Sequence, residues 1–276
     1  MKKALITITI TAFVTTILVL TIFEIVAQMD QLEADELEEV HSEILNESRN
    51  LLIHLPTAYD PERTYPILYV LDGSSQDFTI SRIAEMLSIA EVVPELIIVG
   101  IPNTDRNRDL TPHFILEDTD GEIYGQADQF LAFIEKEAIP FIESKYSTNG
   151  NRMLAGHSRA GLFSFYAYLE KPDLFDSYFC FSPAFWRDGS IIIDKAREID
   201  INAKRPFIFM SLGTEENTKM KTAYNEMTLL LDSDSSYQNF VHAYIPGANH
   251  GNNLYYSTPL ALKKWSQYLE KSKANE

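Results

Sequence analysis

Apolar positions between residues 48 and 247 fall into short, nearly continuous runs, and the stretches between those runs carry helical spacing. "YPILYVLDG" (65–73), "ELIIVGIPN" (95–103), "NRMLAGHS" (151–158), "SYFCFSP" (177–183), "PFIFMSLG" (206–213) and "NFVHAYIPG" (239–247) are such runs, most of them closed by turn residues. Unalternating apolar runs of this length predict strands buried on both faces. Residues 80–93, 125–146, 159–171, 190–199, 218–232 and 259–271 instead repeat their apolar positions at three and four, which predicts amphipathic helices. Pro140 is expected to break or restart the second of these. Strands that alternate with helices give an α/β fold, with a mainly parallel sheet covered on both faces. "SRNLLIHLPTAY" (48–59) is also strand-like, and no helix separates it from 65–73. These first two strands are therefore expected to form an antiparallel edge.

The N-terminus departs from this pattern. After Lys2 and Lys3, the 20 residues from Ala4 to Phe23 carry no charge, and Glu24 ends the run. That order reads as an export signal, and the run is also long enough to span a bilayer. Residues 1–27 are thus expected to be a signal peptide or an N-terminal anchor. Residues 28–35 are expected to be an acidic, solvated linker, within an acidic run that extends to Val40, and 36–276 one catalytic domain. Either form of the N-terminus places the domain outside the cytoplasmic membrane, in a periplasm-like space. Membrane contact is expected only through that segment, where it is uncleaved. Cys180 is the single cysteine, so no internal disulfide can form. It reads as a buried strand residue. The net charge of −17 argues against nucleic acid and anionic membrane surfaces as partners. The oligomeric state is not legible.

The chemistry concentrates at the carboxyl ends of the predicted strands, where α/β sheets gather function. Ser158 lies in "AGHSRAG", between a strand and a helix, with Gly156 two residues before it and Ala160 two after. Small residues at those places let the strand and helix approach closely, as a nucleophile elbow requires. Glycine is usual at the second place, so Ala160 departs from the pattern and predicts a slightly wider turn. A serine nucleophile needs a base, with an acid to orient it, and the chain order is nucleophile, acid, histidine. Of the two histidines after Ser158, His242 lies inside a strand, whereas His250 lies in the loop "PGANHGNN". His250 is the expected base. "SLGTEEN" offers Glu215 and Glu216; neighbouring side chains diverge, and Glu216 is the preferred acid. The oxyanion donors are expected to be the backbone amides of Arg159 and Ser74, the latter in the turn "DGSS". No metal or dinucleotide motif is present, so no metal and no cofactor is expected.

"YPILYVLDG", "LIIVGIPNTDRNRDLTP", "LAGHSRAGLFSFY", "CFSPAFW", "SLGTEEN" and "GANHGN" occur in an order that resembles the putative esterase family of α/β-hydrolases. This group includes esterase D relatives and enterobactin-type siderophore esterases, and the resemblance covers about residues 36–270. It implies an α/β-hydrolase fold and a serine hydrolase that cleaves carboxylic esters of a small molecule through an acyl-enzyme. It also implies that Arg106, in "RNRDLTP", contacts a polar or anionic substrate group, and that Trp186 walls the pocket. A second aromatic commonly follows that tryptophan in the family; Arg187 stands here instead. Two other readings are a catecholate trilactone siderophore esterase and a non-catalytic binding protein of the envelope.

Overall fold

A computed structural model describes residues 34–115, 125–198, 206–233 and 239–274. The expected signal or anchor, 1–27, and most of the expected linker lie outside these residues. Among the described residues, no helix is long and apolar enough to cross a membrane.

Eight strands form one sheet in the order β1-β2-β4-β3-β5-β6-β7-β8. They are β1 Glu36–Ser42, β2 Glu47–His54, β3 Tyr65–Leu71, β4 Ile97–Ile101, β5 Thr148–His157, β6 Ser177–Phe181, β7 Phe207–Gly213 and β8 Phe240–Ile245. The helices are α1 Asp77–Ile89, α2 Arg106–Leu110, α3 Ala127–Phe133, α4 Ile139–Lys145, α5 Arg159–Glu170, α6 Ile191–Arg197, α7 Thr218–Ser233 and α8 Asn253–Ala274. β3 to β8 run parallel, whereas β1 pairs antiparallel with β2, and β2 with β4. The mainly parallel sheet is as expected, but the antiparallel edge differs. It consists of β1 and β2, while β3 lies inside the sheet between β4 and β5.

Alternate residues of each strand feed separate cores. Ile67, Tyr69 and Leu71 face one cluster, which α3 to α7 cover with Phe130, Phe163, Ile192 and Tyr224. Leu68 and Val70 face the other, which α1 and α8 cover with Ile80, Leu262 and Trp265. This two-sided burial is why β3, β4, β6 and β7 read as unbroken apolar runs. Cys180 lies on β6 with no solvent exposure, and burial pushes its thiol far above the ordinary range. It is therefore inert packing.

The acidic run is not linker beyond residue 35: Glu36–Ser42 is edge strand, and only Val40 and Ser42 of it are buried. Pro140 neither breaks the long helix nor restarts it cleanly. A π-turn at Ile134–Ala138 joins α3 to α4, with Pro140 in the first turn of α4. Proline lacks the N–H and crowds the carbonyl four residues back, and the wider turn accommodates both.

Candidate active site

β5 runs into α5 through Ser158, whose backbone sits at φ 61°, ψ −115°. A non-glycine residue rarely adopts this conformation, which costs about 1–3 kcal/mol and is held by its surroundings. Here the Ser158 N–H donates to the Phe181 carbonyl at 2.9 Å, and the Ser158 carbonyl accepts from the Ala184 amide at 3.0 Å. Gly156 supplies the space. A Cβ there would sit 2.3 Å from the Ala160 carbonyl oxygen and 2.8 Å from the Ala160 methyl. Ala160 is thus tolerated in place of glycine because residue 156 has no side chain.

The turn after β8 carries His250 to Ser158, with Nε2 3.0 Å from Ser158 Oγ. On its other side, His250 Nδ1 lies 3.0 Å from Glu216 Oε2. Glu216 follows β7 and is buried, 5% exposed, whereas Glu215 faces solvent. The structure therefore separates the two adjacent acids. His242 lies on the outer face of β8, paired at 2.9 Å with Asp232 on the surface.

Burial opposes the charge on Glu216, but hydrogen bonds from His250, Ser182 and the Gly213 amide more than offset it. The carboxylate stays below the ordinary range and remains ionised. Its Oε1 accepts from Ser182 Oγ at 2.5 Å and from Gly213 N at 3.1 Å. Behind it, Asn253 Nδ2 donates to Ser182 Oγ at 2.9 Å and to Ser211 Oγ at 3.0 Å, and Ser257 Oγ donates to Asn253 Oδ1. All four of these supporting residues are fully buried. Sequence reasoning missed them. The available signal was a serine at the carboxyl end of each of two apolar strands and a polar first turn in α8.

His157 packs its ring 4.7 Å from that of His250 and bonds to the His250 backbone. Burial first, then the neighbouring His250, pushes its pKa down to about 4. It stays neutral beside the His250 imidazole and adds no competing charge. The sign for stability follows. Between about pH 4 and 6.5 the unfolded chain binds a proton here that the folded chain refuses, so stability rises with pH across that window. NMR of the imidazole C–H protons should show one histidine, lost in His157→Gln, that does not titrate from pH 5 to 8. A midpoint near 6.5 for that signal would refute the assignment.

Arg159 is the first residue of α5, so its N–H lacks an intrahelical acceptor and lies beside Ser158. Ser74 corrects the expectation. Its amide donates to Asp77 Oδ1 at 2.9 Å, and Asp77 Oδ2 in turn holds His54 Nε2 at 2.8 Å. That amide is engaged in bracing its own loop, which leaves Arg159 as the one expected donor still open. Gly73 beside it is obligatory, since a Cβ would lie 2.6 Å from Ile101 N. Arg106 reaches the site, with Nη2 3.4 Å from the His157 carbonyl, but its fork is taken by Asp72, with Nε and Nη2 each 2.8 Å from a carboxylate oxygen. Its charge is neutralised by the protein, contrary to a free substrate-binding role. Trp186 follows the loop whose Ala184 amide holds Ser158; it is half-buried, with the Arg187 guanidinium 5.2 Å and Lys219 Nζ 5.9 Å from its ring. Among the described residues, no group of three or more His, Cys, Asp or Glu could hold a metal ion.

The chain is similar to several known proteins. A siderophore enterobactin esterase of Emericella nidulans is 34% identical over 174 residues, 54% of this chain and 57% of that protein. The ferri-bacillibactin esterase BesA of Bacillus subtilis is 30% identical over 171 residues, 54% of this chain and 58% of its own. The matched stretch thus spans little more than half of either relative. An IroE-like serine hydrolase from Shewanella oneidensis superposes with a TM-score of 0.76 at 27% identity, covering 84% of this chain and 80% of that one. The putative esterase profile matches residues 42–271, from the end of β1 into α8, and the chain belongs to that family.

Proposed function

We propose that this chain hydrolyses carboxylic esters of small molecules through a covalent acyl-serine. The observation that carries the reading is the unbroken chain from Ser158 Oγ through His250 to buried Glu216, with both contacts at 3.0 Å. His250 Nε2 takes the Ser158 proton as Oγ attacks the ester carbonyl. Ionised Glu216 holds Nδ1–H and stabilises the imidazolium that forms. The Arg159 amide, at the positive end of α5, stabilises the oxyanion as charge develops. The tetrahedral species collapses, the ester C–O bond breaks, and the alcohol leaves with the proton from His250. Water then attacks the acyl-enzyme, giving its proton to His250, and the acid is released with Ser158 restored. The charge-free run from Ala4 to Phe23 supports placing this activity beyond the cytoplasmic membrane.

The substrate class with the most support from relatives is a siderophore ester, because the Emericella nidulans relative is named a siderophore enterobactin esterase and the Bacillus subtilis one a ferri-bacillibactin esterase. A catecholate trilactone would undergo the same chemistry at each lactone carbonyl. Treatment with a fluorophosphonate should add one phosphonyl group, mapped by peptide mass to the segment holding Ser158, with loss of ester turnover in step. An adduct at another serine, or turnover that survives full labelling, would sink the reading.

A further inference from the structure

Ser182, Ser211, Ser257 and Asn253 are uncharged polar side chains with no solvent exposure, gathered behind the Glu216 carboxylate. They come from separate elements. Ser182 lies just past β6, Ser211 on β7, and Asn253 and Ser257 in the first turns of α8. Asn253 follows His250 by three residues, and its own amide donates to the Asn249 carbonyl at 3.0 Å. Apolar side chains of the same shape would serve the fold about as well as a bonded polar cluster, so stability alone gives no reason for this one. The polarity of its bonds gives a reason. Ionised Glu216 can only accept, so the Ser182 hydroxyl must donate to Oε1, at 2.5 Å. The Ser182 oxygen is then left to accept, and Asn253 must turn Nδ2 toward it, at 2.9 Å. Nδ2 also donates to Ser211 Oγ at 3.0 Å, and Asn253 Oδ1 accepts from Ser257 at 3.1 Å. The path from Ser257 through Asn253 and Ser182 thus has one direction and ends on Glu216. Ser182 reaches its place with the backbone at φ 44°, a left-handed conformation costly for serine, and its N–H is held by the Ser211 carbonyl at 2.8 Å.

We infer that Ser182 is a positioning residue that keeps Glu216 charged and aimed at His250, with Asn253 fixing the direction of its hydroxyl, and that this pair of residues sets the lower pH limit of turnover. The inference deepens the hydrolase reading and rests on it. His250 works as a base only when neutral. In that active form the Glu216 charge has no counter-charge on His250, whereas a protonated imidazole supplies one. A donor on the far oxygen of Glu216 therefore favours the active form over the protonated one. Its loss moves the acid limb of the rate profile to higher pH. The other ionisable groups near Glu216 do not change charge between about pH 5 and 8. Burial first, then His250, holds His157 at about 4, and burial raises the Tyr244 phenol, on which the Glu216 charge acts. Glu215 faces solvent. The limb therefore belongs to the Glu216–His250 pair.

The test is the pH profile of kcat/KM for 4-nitrophenyl hexanoate, an ester with no titrating group, on the full chain. In Ser182→Ala the acid limb should move up by at least about half a pH unit, so the loss of activity is about threefold greater at the acid end than on the plateau. Asn253→Ala should move the limb the same way by less, because Ser182 can still donate. Ser211→Ala takes an acceptor from Asn253 but no donor from Glu216, so its limb should stay at the wild-type position whatever it does to Tm. Should Ser182→Ala fold poorly, Ser182→Gly removes the same hydroxyl and relieves the positive φ, and it should show the same shift. A limb unmoved in the Ser182 variants, or moved as far by Ser211→Ala, would overturn the inference and leave the cluster as core packing. A wild-type protein with neither turnover nor a fluorophosphonate adduct would instead overturn the hydrolase reading itself.

Discussion

Replacing Ser158 by alanine is expected to lower ester turnover at least about 10⁴-fold, because the covalent step has no other nucleophile while the rest of the site survives. The size of the loss separates two roles. A hydroxyl that only capped α5 would be worth about 1 kcal/mol to the fold and nothing to the chemistry. Ser158 makes no side-chain cap, and among the described residues its only side-chain bond is to His250 Nε2. The variant should therefore unfold at nearly the wild-type temperature. Ser158→Gly sharpens the contrast. The φ of 61° is strained for serine and free for glycine, so this variant should be more stable by about 1 kcal/mol and equally inactive. A Ser158→Ala protein that retained more than a few per cent of turnover, measured on 4-nitrophenyl hexanoate, would remove Ser158 from the mechanism.

How much of this was legible depended on which side chains each element buries. β3, β4, β6 and β7 are covered on both faces, so their positions had to be apolar throughout and stood out in the sequence. β1 was not legible. It is an edge strand with three glutamates, and its pairing with β2 is a backbone matter that leaves little trace in residue type. α8 was read from Pro259 but begins at Asn253. Its first turns bury Asn253, Ser257 and Thr258 along with Leu254, so the apolar period is hidden by polar residues. Those polar residues are there because Asn253 supports Ser182 behind Glu216. The misread helix start and the missed supporting network are therefore one feature. Ser158, His250 and Glu216 were legible because elbow geometry constrains small residues near the serine and chain order constrains the rest. The Ser74 amide could not be judged from sequence, since its engagement depends on how His54 of β2 holds Asp77 at the start of α1. Arg106 failed for the same kind of reason, as Asp72 lies 34 residues away in sequence.

Arg49→Leu is expected to destabilise the fold by about 3–5 kcal/mol, although Arg49 lies on β2 and makes no bond to Ser158, His250 or Glu216. Its side chain is 1% exposed, with Nη1 2.7 Å from Asp109, itself 1% exposed, and Nη2 2.5 Å from Glu47. Its guanidinium also lies over the rings of Phe130 and Phe133, at 5.3 and 5.9 Å. Leucine would fill the volume and strand the Asp109 carboxylate in the interior with only Arg108 as counter-charge. Arg49→Lys keeps the charge but cannot reach both carboxylates in one plane, so it should recover only part of the loss. The double variant Arg49→Leu with Asp109→Leu should be more stable than Arg49→Leu alone, because no buried charge is left unpaired. Urea unfolding of the three variants measures this order directly. If Arg49→Leu falls within about 1 kcal/mol of the wild type, the pair is not holding the fold. The consequence for the site runs through α2, which Asp109 and Arg108 fasten to β2 and which carries Arg106 onto Asp72. Loosening it frees Arg106 from Asp72 and disturbs the loop beside Ser158. Arg49→Leu should therefore lower turnover of 4-nitrophenyl hexanoate along with stability.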